Sequence, residues 1–159
     1  MSFYNRTDRT FGFKVNPHES LFHAIYFIDY ESGSLLVSNR FSKDLSVLGD
    51  DLICSFLNAI NLFINELNGE VNEELREITF KDTRILYERE GRLLVIAVSR
   101  KIDLQVERTI LREILEDFYL RFKKDINRFN GAITPGIINY KKRLEAMDLN
   151  SVSKFNSKF

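Results

Sequence analysis

The chain has 159 residues, of which 44% are hydrophobic and 29% charged, enough for one globular domain with a real core. Twenty-three Lys and Arg balance twenty-three Asp and Glu, which argues against a general nucleic-acid binder, whose affinity runs on excess positive charge. One cysteine, Cys54, excludes an intrachain disulfide framework and multi-cysteine zinc sites, and its apolar helical surroundings read as those of a buried thiol.

The N-terminal segment, residues 1–20, is polar and reads as an arm, with RTFGFKV a short extra strand or a packed segment. It lacks the apolar core of a signal peptide, and no run approaches the ~20 apolar residues of a membrane span. The expected location is therefore cytoplasmic. Residues 21–147 read as a single domain, and residues 148–159, rich in Ser, Asn and Lys, as a flexible tail.

Two apolar runs, Leu21–Tyr30 and Leu35–Phe41, flank the turn signal ESGS with Gly33 and predict a hairpin. Asp50 or Asp51 then supplies a helix N-cap. Ile53, Phe56, Leu57, Ile60, Phe63, Ile64 and Leu67 recur at spacings of three and four, the core stripe of an amphipathic helix. Asn68-Gly69 ends it. On the opposite face fall Leu62, Ser55, Ala59 and Glu66, with Leu52 on the flank beside Ala59. Large apolar groups on a strip of small residues, turned to solvent, make a contact surface.

Leu75–Phe80 is a third strand whose Ile78 and Phe80 alternate with Glu77, Thr79 and Lys81, the pattern of a sheet edge. TRILYE and LLVIAV around Gly91 predict a second hairpin. The first and fifth strands are apolar on both faces and belong at the sheet centre. Asp103 caps a long helix from about Leu104 to about Arg128. Val106, Ile110, Ile114, Phe118, Phe122 and Ile126, widened by Leu111 and Leu115, form its apolar strip. Glu107, Arg108, Arg112, Glu113, Glu116, Arg121, Lys123 and Lys124 read as its solvated face. After the breaker GAITPGI, Ile137, Tyr140, Leu144 and Met147 mark a short third helix.

Catalytic signals are lacking. The chain has no P-loop, GxGxxG, GxSxG or HExxH. His18 and His23 have no companion cysteine, so no metal site is expected, and no cofactor. The acidic pairs Asp50-Asp51, Glu73-Glu74 and Glu116-Asp117 read as caps and solvated charge rather than as acid–base pairs. RFKK and YKKR read as ordinary charge balance, with membrane contact at most peripheral.

The element order ββαβββαα resembles the longin fold, which is related to the roadblock domain. IYFIDYESGSLLVSNRFS is similar to the first hairpin of archaeal longin-like proteins, DDLICSFLNAINLFINELNG resembles their first helix, and LREITFKDTRILYEREGRLLVIAV the following meander. The resemblance implies an α/β (α+β) domain. Its five-stranded, mainly antiparallel sheet would carry one helix on one face and the C-terminal helices on the other. It further implies a non-enzymatic platform, a homodimer or a heterodimer with another longin or roadblock domain, that binds or regulates a small GTPase or a trafficking-type partner. The contact would use Leu52, Ser55, Ala59, Leu62 and Glu66 of the first helix with Glu77, Thr79 and Lys81 of the third strand. The competing readings are a small-molecule sensor domain on a similar sheet and a GTPase-activating role through Arg40 or Arg89.

Overall fold

A computed structural model describes residues 21–41, 55–60, 62, 63, 66 and 75–146. The N-terminal arm, Leu52, Ile53, Cys54, Ile64, Leu67, the caps at Asp50, Asp51 and Gly69, Met147 and the tail lie outside the described residues. Within them the strands are β1 (Phe22–Asp29), β2 (Leu35–Arg40), β3 (Glu77–Thr79), β4 (Arg84–Glu90) and β5 (Leu93–Ser99). Helix α1 comprises the helical residues within 55–66, followed by α2 (Leu104–Asn127) and α3 (Pro135–Ala146). The sheet order is β2-β1-β5-β4-β3, and every pairing is antiparallel.

β1 and β5 pair along their length because both are apolar on both faces. Ile25, Phe27, Val95 and Ala97 face α2 and α3, while Ala24, Tyr26, Ile28, Leu94 and Ile96 face the layer that holds Leu57 of α1. Among the described residues one helix covers one face and two cover the other, the arrangement that the resemblance to the longin fold implies. Gly91 is the first of two turn residues between Glu90 and Leu93, at φ 58°, where a side chain would be strained. Gly33, at φ 75°, does the same work in the first hairpin, and a Cβ on it would come within 2.7 Å of Asn58 Nδ2. That close approach seats α1 over the β1–β2 turn.

On the α2 face the core is aromatic. Phe27 stacks on Phe118 at 4.4 Å, and the Tyr140 ring meets both edge-on at 5.5 and 4.9 Å. Each such pair contributes ~0.5–1.5 kcal/mol beyond the area it buries. The Tyr140 hydroxyl donates to Asp117 Oδ2 at 2.7 Å, which fixes α3 to α2. Pro135 opens α3 instead of preceding it, because the N–H that proline lacks would be unsatisfied at a first helical position anyway.

Two expectations about helix faces are corrected. Phe56 and Phe63 are not core residues: they are 59% and 63% exposed, whereas Leu57 is buried. At ~100° per residue, both lie about 100–120° around the helix from Leu57, beyond the arc that a flat sheet covers. Glu107 is not on a solvated face either. It is fully buried, and Arg108 and Arg112 beside it are held in ion pairs.

Glu107 explains how α2 is attached. Its Oε1 accepts from Ser99 Oγ at 2.7 Å and Arg84 Nε at 3.1 Å. Its Oε2 accepts from the backbone N–H groups of Ile102 and Asp103 at 2.8 and 2.9 Å, and from Arg84 Nη2 at 3.4 Å. Asp103 accepts in return from the Val106 N–H at 3.1 Å. One carboxylate thus satisfies orphan donors at the start of α2 and anchors the helix to β4 and β5.

A second carboxylate closes the other end of the sheet. Asp29, fully buried at the end of β1, accepts from Arg92 Nε and Nη2 at 2.8 and 2.9 Å and from Ser32 N–H and Oγ at 3.0 and 2.5 Å. Arg92 also donates to the carbonyls of Asn127 and Phe129, so both hairpin turns and the end of α2 meet here.

Glu107→Ala strands a buried guanidinium, a hydroxyl and two backbone donors, and should cost about 3–5 kcal/mol by urea unfolding. Asp103→Ala removes one capping bond and should cost about 1 kcal/mol. For Asp29, burial acts to raise the carboxyl pKa, but the bonds from Arg92 and Ser32 outweigh it and hold the group below its ordinary value of 3.8. A carboxyl with a lower folded than unfolded pKa stabilises the fold fully above the unfolded value. That stability is lost as pH falls through the folded value. Stability measured against pH should therefore drop below about pH 4, and Asp29→Asn should flatten that acid limb while lowering stability at neutral pH.

Candidate functional site

α1 presents one face to solvent. Ser55, Ala59, Leu62 and Glu66 are all exposed on it, Leu62 at 58%. Phe56 and Phe63 extend the same face along its flank. Among the described residues of α1, Leu57 is buried, and Asn58 and Ile60 are half-buried.

β3 is the edge strand on the β4 side. Its register, Glu77↔Leu86, Ile78↔Ile85 and Thr79↔Arg84, divides its side chains between the two layers. Ile78 packs with the cluster that contains Leu57, on the α1 side. Glu77 and Thr79 point to the α2 side, where Thr79 Oγ1 donates to Glu77 Oε2 at 3.2 Å. The structure therefore groups Ser55, Ala59, Leu62 and Glu66 on one surface and places Glu77 and Thr79 on the other side of the sheet edge. Lys81 is exposed in the β3–β4 turn, and its carbonyl accepts from Lys101 Nζ at 3.2 Å.

Glu88 and Arg76, which the sequence did not single out, join Glu77, Arg108 and Arg112 in an ion-pair cluster beside this edge. Glu88, on β4, is almost fully buried and meets Arg108 at 3.4 Å and Arg76 at 3.7 Å, with Arg112 bound to its Oε1. Arg108 also pairs with Glu77, and that guanidinium, outweighing desolvation, holds the Glu77 carboxyl below the usual carboxylate range. The cluster borders a cleft of about 70 Å³ lined by Tyr30, Leu75, Arg76, Tyr87, Glu88, Arg89, Leu94 and Arg112. The Arg89 guanidinium lies 3.6 Å over the Tyr30 ring, and its Nε donates to the Gly91 carbonyl. Burial pushes the Tyr87 phenol above its ordinary range, so it stays protonated, and its buried hydroxyl has no hydrogen-bond partner among the described residues. The sequence signal for the cleft is slight: Tyr-Glu-Arg-Glu reads as the fraying end of a strand until α2 is laid across it.

Arg40 and Arg89 do not share a site. Arg40 is in register with Ala24 at one end of the sheet, and Arg89 with Leu94 at the other. Among the described residues no group of His, Cys, Asp or Glu is placed to hold a metal ion, and no helix is long and apolar enough to cross a membrane.

No family model and no curated protein matches the chain. Among solved structures it is similar to a chain of a "Homology model of the full-length AP-3 complex in a stretched open conformation", at 12% identity and a TM-score of 0.40, covering 78% of this chain and 93% of that one.

Proposed function

We propose that the chain is a non-enzymatic protein-interaction module of longin or roadblock type. It pairs with a second copy of itself through the outer face of α1 and the edge of β3, and in that form binds or regulates a small GTPase or a trafficking-type partner. The carrying observation is the exposure of Phe56, Leu62 and Phe63 on one helix, interleaved with the small Ser55 and Ala59. Large apolar groups set among small ones let a second helix approach closely and bury area on contact. Among the described residues β3 ends the strand order and offers backbone donors and acceptors for strand pairing. The sensor reading gains little from the cleft, whose volume of about 70 Å³ is far below the ~300–1,000 Å³ of small-molecule sites.

Sedimentation velocity tests the pairing. The wild-type chain should form dimers in the micromolar range. Leu62→Asp and Phe63→Asp should each shift it to monomer by tenfold or more in dissociation constant, because burying one such side chain is worth ~1.5–3 kcal/mol. Their melting curves should match the wild type, since neither side chain is in the core. A wild-type chain that stays monomeric, or variants that dimerise unchanged, contradict the proposal.

A further inference from the structure

The chain is neutral overall, but its charge is divided. Residues 120–159 hold nine Lys and Arg against three Asp and Glu, and the opposite surplus lies in residues 1–119. A block of one sign at one end of a neutral chain points to a partner of the other sign. The runs RFKK and YKKR fall in this block, on the second half of α2 and on α3. The acid between them, Asp117, accepts from Arg121, Arg143 and the Tyr140 hydroxyl, so its charge goes into joining the two helices. Lys123, Lys124, Lys141 and Lys142 are all exposed.

Exposed apolar side chains share this surface. α2 and α3 pack on one face of the sheet and meet through Phe118, Phe122 and Tyr140. A residue two positions from a buried one is turned ~200° around its helix, away from the sheet. Leu120 stands in that relation to Phe118, Lys124 to Ile126, Ile138 to Tyr140, and Lys142 to both Tyr140 and Leu144. The backbone of α2 leaves helical geometry at Phe122, and each α2 pair lies within one arm. The outer side of the two-helix layer therefore carries an apolar side chain and a lysine on each helix. Leu120 is 78% exposed, the highest value among the large apolar residues described, and Ile138 is 54% exposed.

Single apolar side chains that protrude among lysines suit a fluid surface. A protein partner needs a matching pocket for each of them. A bilayer instead takes a protruding Leu or Ile at the boundary between headgroups and acyl chains, while lysines meet the anionic headgroups. We propose that the outer side of α2 and α3 docks the chain on a membrane surface rich in anionic lipid, with Leu120 and Ile138 entering the headgroup layer and Lys124 and Lys142 paired with headgroups beside them. Glu113 and Glu116 precede Leu120 on α2 and bound the basic area on that side. α1 lies across the sheet from this layer, so a failure here leaves the self-pairing reading untouched.

The test is flotation of the full chain at low salt with vesicles of phosphatidylcholine alone, or of phosphatidylcholine and phosphatidylserine at three to one. The chain should float with the mixed vesicles and not with the neutral ones, and added salt should release it. Lys124→Gln/Lys142→Gln should weaken binding about tenfold or more, since one basic residue near an anionic surface is worth about fivefold. Leu120→Asn/Ile138→Asn leaves the charge unchanged and should also weaken it about tenfold. All four positions are exposed, so the melting curves should match the wild type. If the apolar pair melts early, Leu120→Asn alone takes its place. No flotation with the mixed vesicles, or equal flotation with the neutral ones, overturns the proposal. So does a loss confined to the lysine pair, which means diffuse attraction. A hexaglutamate peptide that binds through the same lysines while the vesicles do not also overturns it, in favour of an acidic protein partner.

Discussion

The buried carboxylate of Glu107 holds this fold in register. A charge taken fully out of water destabilises a protein by several kcal/mol unless donors replace the lost hydration. Here five donors do so, from Arg84, Ser99 and the backbone of Ile102 and Asp103. The donors come from β4, the end of β5 and the first turn of α2, so the carboxylate is satisfied only when those elements stand in one arrangement. The apolar surface between α2 and the sheet contributes more energy, but it is tolerant of sliding. The Glu107 network is directional and fixes where the helix begins.

The same logic recurs at the opposite end. Asp29 and Arg92 bind in a two-pronged pair, and Arg92 carries on to the carbonyls at the end of α2. The helix is therefore pinned at both termini, with the aromatic cluster of Phe27, Phe118, Phe122 and Tyr140 between the pins. α1 has no comparable fastening among the described residues. It rests on Leu57 and on the close approach of Asn58 to Gly33. The α1 layer also carries the exposed Phe56 and Phe63.

Much of the architecture was legible in the sequence. Gly33 and Gly91 marked both hairpins, Asp103 marked the start of α2 correctly, and the two-faced apolar runs placed β1 and β5 side by side. The faces of α1 were not legible, because Phe56, Leu57, Ile60, Leu62 and Phe63 are apolar over more than half the helix circumference. Hydrophobicity alone cannot say which part of so wide an arc meets the sheet. Glu107 was hidden for the opposite reason. A charged residue at helical spacing reads as solvent-facing unless its partners are known, and Arg84 lies twenty-three residues away in sequence. The cleft at Tyr87 likewise joins residues far apart in sequence, from Tyr30 to Arg112.

Under the proposed pairing, α1 and the β3 edge form the contact surface between two copies of the chain. Hydrogen–deuterium exchange at two protein concentrations, dilute and concentrated, measures that directly. Peptides spanning residues 55–66 and 77–80 should gain protection as the chain concentrates, while those from α2 and α3 stay unchanged. Protection confined to α2, or none anywhere, would contradict the assignment of α1 and β3 as the working face.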